Sequence, residues 1–150
     1  MTEEEGEEAR FVDNQNGTVT DNETTLIWTR EDTWQRDNQW VTWDEAKDYS
    51  IKLGQMQFAG YNDWRLPTLE ETLSLLTDEA LNRDKYDKPI FLDPVFPPGC
   101  LAIFWTADGV GQDGYRVNFN TGEKALLYKS KSGRMTTRGV RGTPVGLDTE

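Results

Sequence analysis

Among the groups able to do chemistry in this chain, carboxylates, guanidinium groups and indoles stand out, because histidine is absent and cysteine occurs once, at Cys100. Without imidazole there is no Ser–His or Cys–His nucleophile pair and no imidazole metal ligand. A single thiol makes neither an internal disulfide nor a structural zinc site. Cys100 reads as a small buried hydrophobe, with an intermolecular disulfide or a thioether attachment as its other roles. The adjacent acids Glu70 and Glu71 have the residue types of a glycoside-hydrolase pair. Neighbouring helix positions point apart, however, and a first helical turn favours acids through the helix dipole. Catalysis is not expected.

Other combinations suit binding. Calcium is the one metal these residues fit, since oxygen ligands are plentiful. Its candidates are Asp13 and Asp21, with Asn14, Asn16 and Asn22 nearby, and Asp108 and Asp113 among glycines. Their spacing misses the EF-hand pattern and turn formation accounts for them, so no metal or cofactor is expected. The triplet Asp63-Trp64-Arg65 has a structural reading, with Trp64 in the core and the two charges bonding loop backbone or each other. Trp34 and Trp40 flank Arg36 in a polar stretch. Core burial is the expected fate of both indoles; an exposed one would stack on sugar rings or anchor a protein interface. Phe91, Val95 and Phe96, in a proline-rich segment, form a second candidate contact patch.

Positioning such groups requires a core. A chain of 150 residues buries roughly 68–70% of its unfolded surface as one domain. Only 35% of it is apolar, but six Trp, six Phe and five Tyr supply bulk. The low mean hydropathy of −0.76 would by itself have suggested disorder. With 27 acidic and 16 basic residues the net charge is −11. That field repels phosphate backbones and anionic headgroups, which disfavours nucleic acid and anionic membranes as partners. No apolar run reaches the about 20 residues of a membrane span, and no signal peptide is visible. Five glutamates lie between Thr2 and Glu8; this run reads as a solvated tail or as an arm that docks on a basic partner.

Along the chain, residues 11–20 predict a hairpin turned by Asn16-Gly17, and Thr25–Thr29 a further strand. Residues 30–41 read as a loop. Thr42 with Glu45, and Thr68 with Glu71, have the spacing of capping boxes. The first predicts a helix with Ala46, Tyr49 and Leu53 inward, stopped by Gly54; the second predicts one carrying Leu69, Leu73 and Leu76 to about Thr77. Residues 78–99 are charged and then proline-rich, a long irregular segment of the kind that often carries function. Strands follow at Leu101–Thr106, Tyr115–Phe119, Glu123–Tyr128 and Met135–Arg141, with a turn at Gly109, Gly111 and Gly114. Strands at both ends around two helices give an α+β fold with an antiparallel sheet, the terminal strands pairing. The expected division is an acidic tail over 1–9, one domain over 10–143 and a tail over 144–150.

The order of these pieces resembles the Lcl C-terminal domain family of bacteria. The likeness runs through Arg10–Asp13, Asn16–Asn22, Leu26–Trp28 and Trp43–Ala46, and is strongest over Gly60–Thr68. Glu71, Leu73, Phe104–Thr106 and Arg138–Arg141 continue it, so it covers about residues 10–142. It implies an exported or surface domain, periplasmic or extracellular, distantly like C-type lectins and engaged in binding or adhesion without assigned catalysis. With no leader visible, a cytoplasmic location stays open. Adhesins of the family are associated with glycosaminoglycans, a ligand that the charge of −11 opposes here. The family often has Cys where Ser50 and Gly139 stand, which implies that a disulfide of its relatives is missing. Two functions follow as expectations: an accessory or structural subunit held by other proteins on an envelope or membrane assembly, or a lectin-like module recognising a surface carbohydrate.

Overall fold

Capping chemistry sets the helices. A computed structural model of the chain describes residues 9–144; the acidic run over 2–8 and the end of the second tail lie outside the described residues. Thr42 Oγ1 accepts the Glu45 N–H at 3.3 Å while Glu45 accepts the Thr42 N–H at 2.9 Å. This reciprocal cap starts helix α2 (Trp43–Gln55), which buries Ala46, Ser50 and Leu53. Thr68 and Glu71 repeat the arrangement at 3.1 and 2.8 Å and start α3 (Leu69–Ser74). A third helix, α1 (Thr33–Asp37), stands in the stretch expected to be loop. Its signal was the box Asp32…Gln35, an Asx cap with an amide in place of the acid. Gly54 does not stop α2 but lies buried within its last turn. A Cβ there would come 2.9 Å from the Asn62 carbonyl oxygen, so the missing side chain lets the segment before Trp64 pass.

The fold is α+β, with three α-helices and three sheets among the described residues. The N-terminal strands β1 (Phe11–Asp13), β2 (Thr18–Asp21) and β3 (Leu26–Thr29) form an antiparallel meander. Strand β10 (Val140–Arg141) joins its far edge on β3. The terminal strands therefore share a sheet but lie at opposite edges, in the order β1-β2-β3-β10, instead of pairing. Two short strands, β4 (Asn82–Arg83) and β5 (Pro89–Ile90), form a small ladder in the segment read as irregular. A second four-stranded sheet has the order β8-β7-β6-β9, from β6 (Ile103–Val110), β7 (Asp113–Asn118), β8 (Glu123–Tyr128) and β9 (Met135–Thr136).

The expected last strand, 135–141, is two strands in two sheets. β9 runs parallel to β6, and the chain then crosses to β3 through Thr137–Gly139. Thr137 O accepts the Thr33 N–H at 3.1 Å and Gly139 donates to Thr29 Oγ1 at 3.1 Å, so the crossing is hydrogen-bonded to other elements at both ends. The β6–β7 turn is made at Gly111, with φ +59°. Gly109 and Gly114 are instead register partners within the strands.

The second sheet is covered on both faces near β6. Phe104 and Val117 pack into the main core with Val19, Leu26, Trp28, Phe96, Phe119 and Val140. Trp105, on the opposite face, packs with Val41, Ala46, Leu66 and Met135 beneath α2. Alternation along one strand thus feeds two cores, and the Trp105 indole is satisfied by the Val41 carbonyl at 2.9 Å.

Candidate functional site

The short helix α1 assembles an exposed aromatic face. Asp32 caps it, accepting the Gln35 N–H at 2.8 Å, and with its second oxygen accepts the Leu101 N–H at 2.9 Å. The helix ends at Asn38 in the left-handed region, with φ 56°. That reversal brings the Trp34 and Trp40 rings to 6.5 Å, tilted by 34°. Gln35 Nε2 donates to the Pro97 and Pro98 carbonyls at 3.1 and 3.0 Å, fixing the helix against the proline-rich segment.

Two other loops complete the face. Asp84 Oδ1 accepts the N–H groups of Tyr86 and Lys88 at 2.8 and 2.9 Å, shaping the β4–β5 turn that presents Lys85 and Tyr86. Lys85 Nζ lies 4.7 Å from the Trp34 ring centre and 5.1 Å from that of Tyr86. The Arg134 guanidinium lies 5.1 Å from Tyr86 and 5.8 Å from Trp40. Trp34, Trp40, Arg134, Tyr86 and Lys85 form a closed circuit of rings and cations, in which Trp40 is 46% and Tyr86 43% exposed. A shallow basin lined by Trp34, Asn38, Gln39, Trp40 and Glu45 adjoins it. The expectation that both indoles are buried is corrected: Trp34 is half-buried and Trp40 exposed. Lys85, Tyr86 and Arg134 were missed from sequence because three loops distant in the chain supply the face. The one sequence trace is charge: residues 124–147 hold six bases and no acid.

The remaining expected contact residues do not join this face. Arg36 turns to the other side of α1, its guanidinium 4.4 Å from the Phe58 ring centre, in a cleft shared with Asp13, Gly17, Arg30 and Glu31. Phe96 is fully buried, edge-on to Phe11 at 5.5 Å. Phe91 and Val95 are half-buried, Val95 against the main core. The cause is Asn82, whose side-chain amide donates to the Asp93 and Phe96 carbonyls at 3.1 and 2.7 Å and draws the segment inward.

The 63–65 triplet clamps β10. Trp64 is buried and its indole donates to the Phe58 carbonyl at 2.9 Å. Asp63 and Arg65 bond neither each other nor only backbone. Asp63 receives Arg141 Nε and Nη2 at 2.7 and 3.0 Å, and this guanidinium holds its carboxyl below the usual carboxylate range. Arg65 grips Glu71 with two bonds of 2.8 and 2.7 Å and also donates to the Gly142 carbonyl, while its backbone exchanges two hydrogen bonds with Val140.

The acids are dispersed among structural partners. Asp13 pairs with Arg30 at 3.3 Å, and Asp21 receives Arg10 through two bonds of 2.9 Å. Asp108 accepts the Leu69 N–H at the start of α3, and Asp113 begins β7. No group of three or more acidic, Cys or His residues fit to hold a metal ion occurs among the described residues. Glu70 is exposed and Glu71 buried. Cys100 is buried, and burial pushes its thiol up to about 11. Near it the buried Arg138 guanidinium stands 4.7 and 5.3 Å from the Phe96 and Phe104 ring centres. Gly139 is buried too; a Cβ there would come 2.7 Å from Leu53 Cδ1.

No helix of the described residues is long and apolar enough to cross a membrane. Compared with known proteins, residues 17–141 match the family model of the Lcl C-terminal domain. No curated protein matches the chain.

Proposed function

The chain belongs to the Lcl C-terminal domain family, and from that premise we propose that it is a non-catalytic binding module of C-type-lectin-like build. In this reading it serves as an accessory or structural subunit on a larger assembly of the bacterial envelope, and another protein covers its aromatic face. The observation that carries the reading is the circuit of Trp34, Trp40, Tyr86, Lys85 and Arg134. Trp, Tyr and Arg are the residues that most often dominate interface energies, because they bury large rigid areas and still offer donors. Here the cations already lie over the rings, so little side-chain entropy remains to be lost on binding. A basic spot on a chain of charge −11 also orients an acidic partner surface on approach.

The test is co-purification from the native source with wild-type and Trp34→Ala/Trp40→Ala chains. A central anchor contributes about 2 kcal/mol or more, so the double variant should lose its partner by at least about 30-fold. Undiminished recovery of a partner by that variant would falsify the reading. One observation favours a carbohydrate ligand as the second reading: the exposed Trp40 ring adjoins the amides of Asn38 and Gln39 in the basin, a platform with donors for stacked sugar. Binding of a glycan by the free chain, without any protein partner, would select it.

A further inference from the structure

We infer that strand β8 is a self-complementary edge through which two copies of the chain pair, antiparallel, into one continuous sheet. All six residues of β8 pair with β7 on one side, and β8 ends the sheet order on the other. Among the described residues one further backbone bond reaches the end of its outer edge, from the Lys131 N–H to the Tyr128 carbonyl at 3.0 Å, and none reaches the middle of the strand over 124–127. Such an edge presents a row of unpaired N–H and C=O groups and is normally protected by shortness, proline, bulges or charge. Here the strand is six residues of sequence EKALLY, unbroken in register, with Lys124 as its only inner guard.

Its side chains suit a second copy. Leu127 points to the core beneath α2. Leu126 and Tyr128 are 42% and 52% exposed, and they share a face with Val110, 61% exposed, through the row Val110–Asp113–Tyr128. A two-fold axis through Leu126 sets Leu126 against itself and keeps both cores on one side of the joined sheet. In that register Glu123 meets Lys129 of the other copy at each end. Lys124 meets Tyr128 of the other copy, at cation–π distance on the exposed face. Every charge on the strand then faces an opposite charge or an aromatic ring, and the apolar row Tyr115–Leu126 runs on across the axis. A one-residue shift of either copy would place Lys124 against Leu127 and turn the two cores to opposite faces.

Sedimentation equilibrium of the whole chain, over micromolar to millimolar concentrations, tests the inference. Wild type should show reversible dimers. Leu126→Lys sets two ammonium groups together at the axis and should leave only monomers, with an unchanged circular-dichroism spectrum because the side chain is exposed. Glu123→Lys should weaken the dimer by about 2- to 30-fold, since symmetry counts each lost pair twice. Lys129→Glu should weaken it similarly, and the double exchange should restore it. A wild-type chain of monomer mass throughout, a dimer that survives Leu126→Lys, or a double exchange no better than the singles would overturn it.

Discussion

Replacing Arg65 with Met isolates the clamp between α3 and the closing strand. Glu71 has no exposed side-chain surface, whereas Arg65 keeps a quarter of its own. The pair is bidentate, at 2.8 and 2.7 Å, and Glu71 also accepts the Thr68 N–H that opens α3. Removing the guanidinium takes the neutralising charge from a fully buried carboxylate, a change that costs about 3–5 kcal/mol. Methionine keeps most of the aliphatic stem, so little of the loss comes from packing. For a chain of this size each kcal/mol lowers the melting temperature by about 2–4 °C, so Arg65→Met should melt roughly 6–20 °C below wild type. Urea unfolding followed by circular dichroism gives the free energy directly. The double variant Arg65→Met/Glu71→Leu replaces the pair with apolar side chains and leaves no uncompensated buried charge, although it gives up hydrogen bonds such as those to the Gly142 carbonyl and from the Thr68 N–H, each worth about 1 kcal/mol. It should therefore be more stable than the single variant. A single variant costing under about 1 kcal/mol, or a double variant less stable than the single, would refute a charge-pair origin.

Three further outcomes follow from the same geometry. Burial resists ionisation of Asp21, but its bonds from Arg10, the Glu23 N–H and Thr24 prevail and hold its carboxyl below the usual value. Stability from a depressed acid is complete above the unfolded value of about 3.9 and is lost as pH falls through the folded one. Asp21→Asn should therefore flatten the acid limb of the stability–pH curve, and a limb parallel to wild type would count against it. Cys100, buried with its thiol at about 11, should resist a thiol reagent at pH 8 and react fully in denaturant; rapid labelling of the native chain would contradict its placement. Gly114→Ala would set a Cβ 2.8 Å from Trp43 Cδ1 and 3.3 Å from the Trp105 ring. It should cost about 1–3 kcal/mol by overpacking, whereas Gly111→Asn, in open space at φ +59°, should stay within about 0.5 kcal/mol.

What the sequence determined by itself was local and chemical. Thr42 with Glu45 and Thr68 with Glu71 announce helix starts because a cap needs only residues three apart. Alternation at Tyr115–Phe119 and the β-branched and aromatic run at Leu101–Thr106 announce strands for the same reason. The order Gly60–Thr68 carries the family, and the burial of Trp64 is legible there too. Tertiary structure alone decided which residues meet. Asp63 and Arg65 look suited to each other in sequence, yet the chain's return at β10 gives Asp63 the Arg141 guanidinium, and the first turn of α3, six residues on, gives Arg65 the Glu71 carboxylate. Phe96 reads as a surface aromatic beside prolines until Asn82, fourteen residues earlier, draws it into the core. The face at Trp34 and Trp40 needs Lys85, Tyr86 and Arg134 from loops 50 and 100 residues away in sequence. Periodicity encodes which way a side chain points within its own element; which elements then share a surface follows from packing two cores around one strand, and no local pattern carries that.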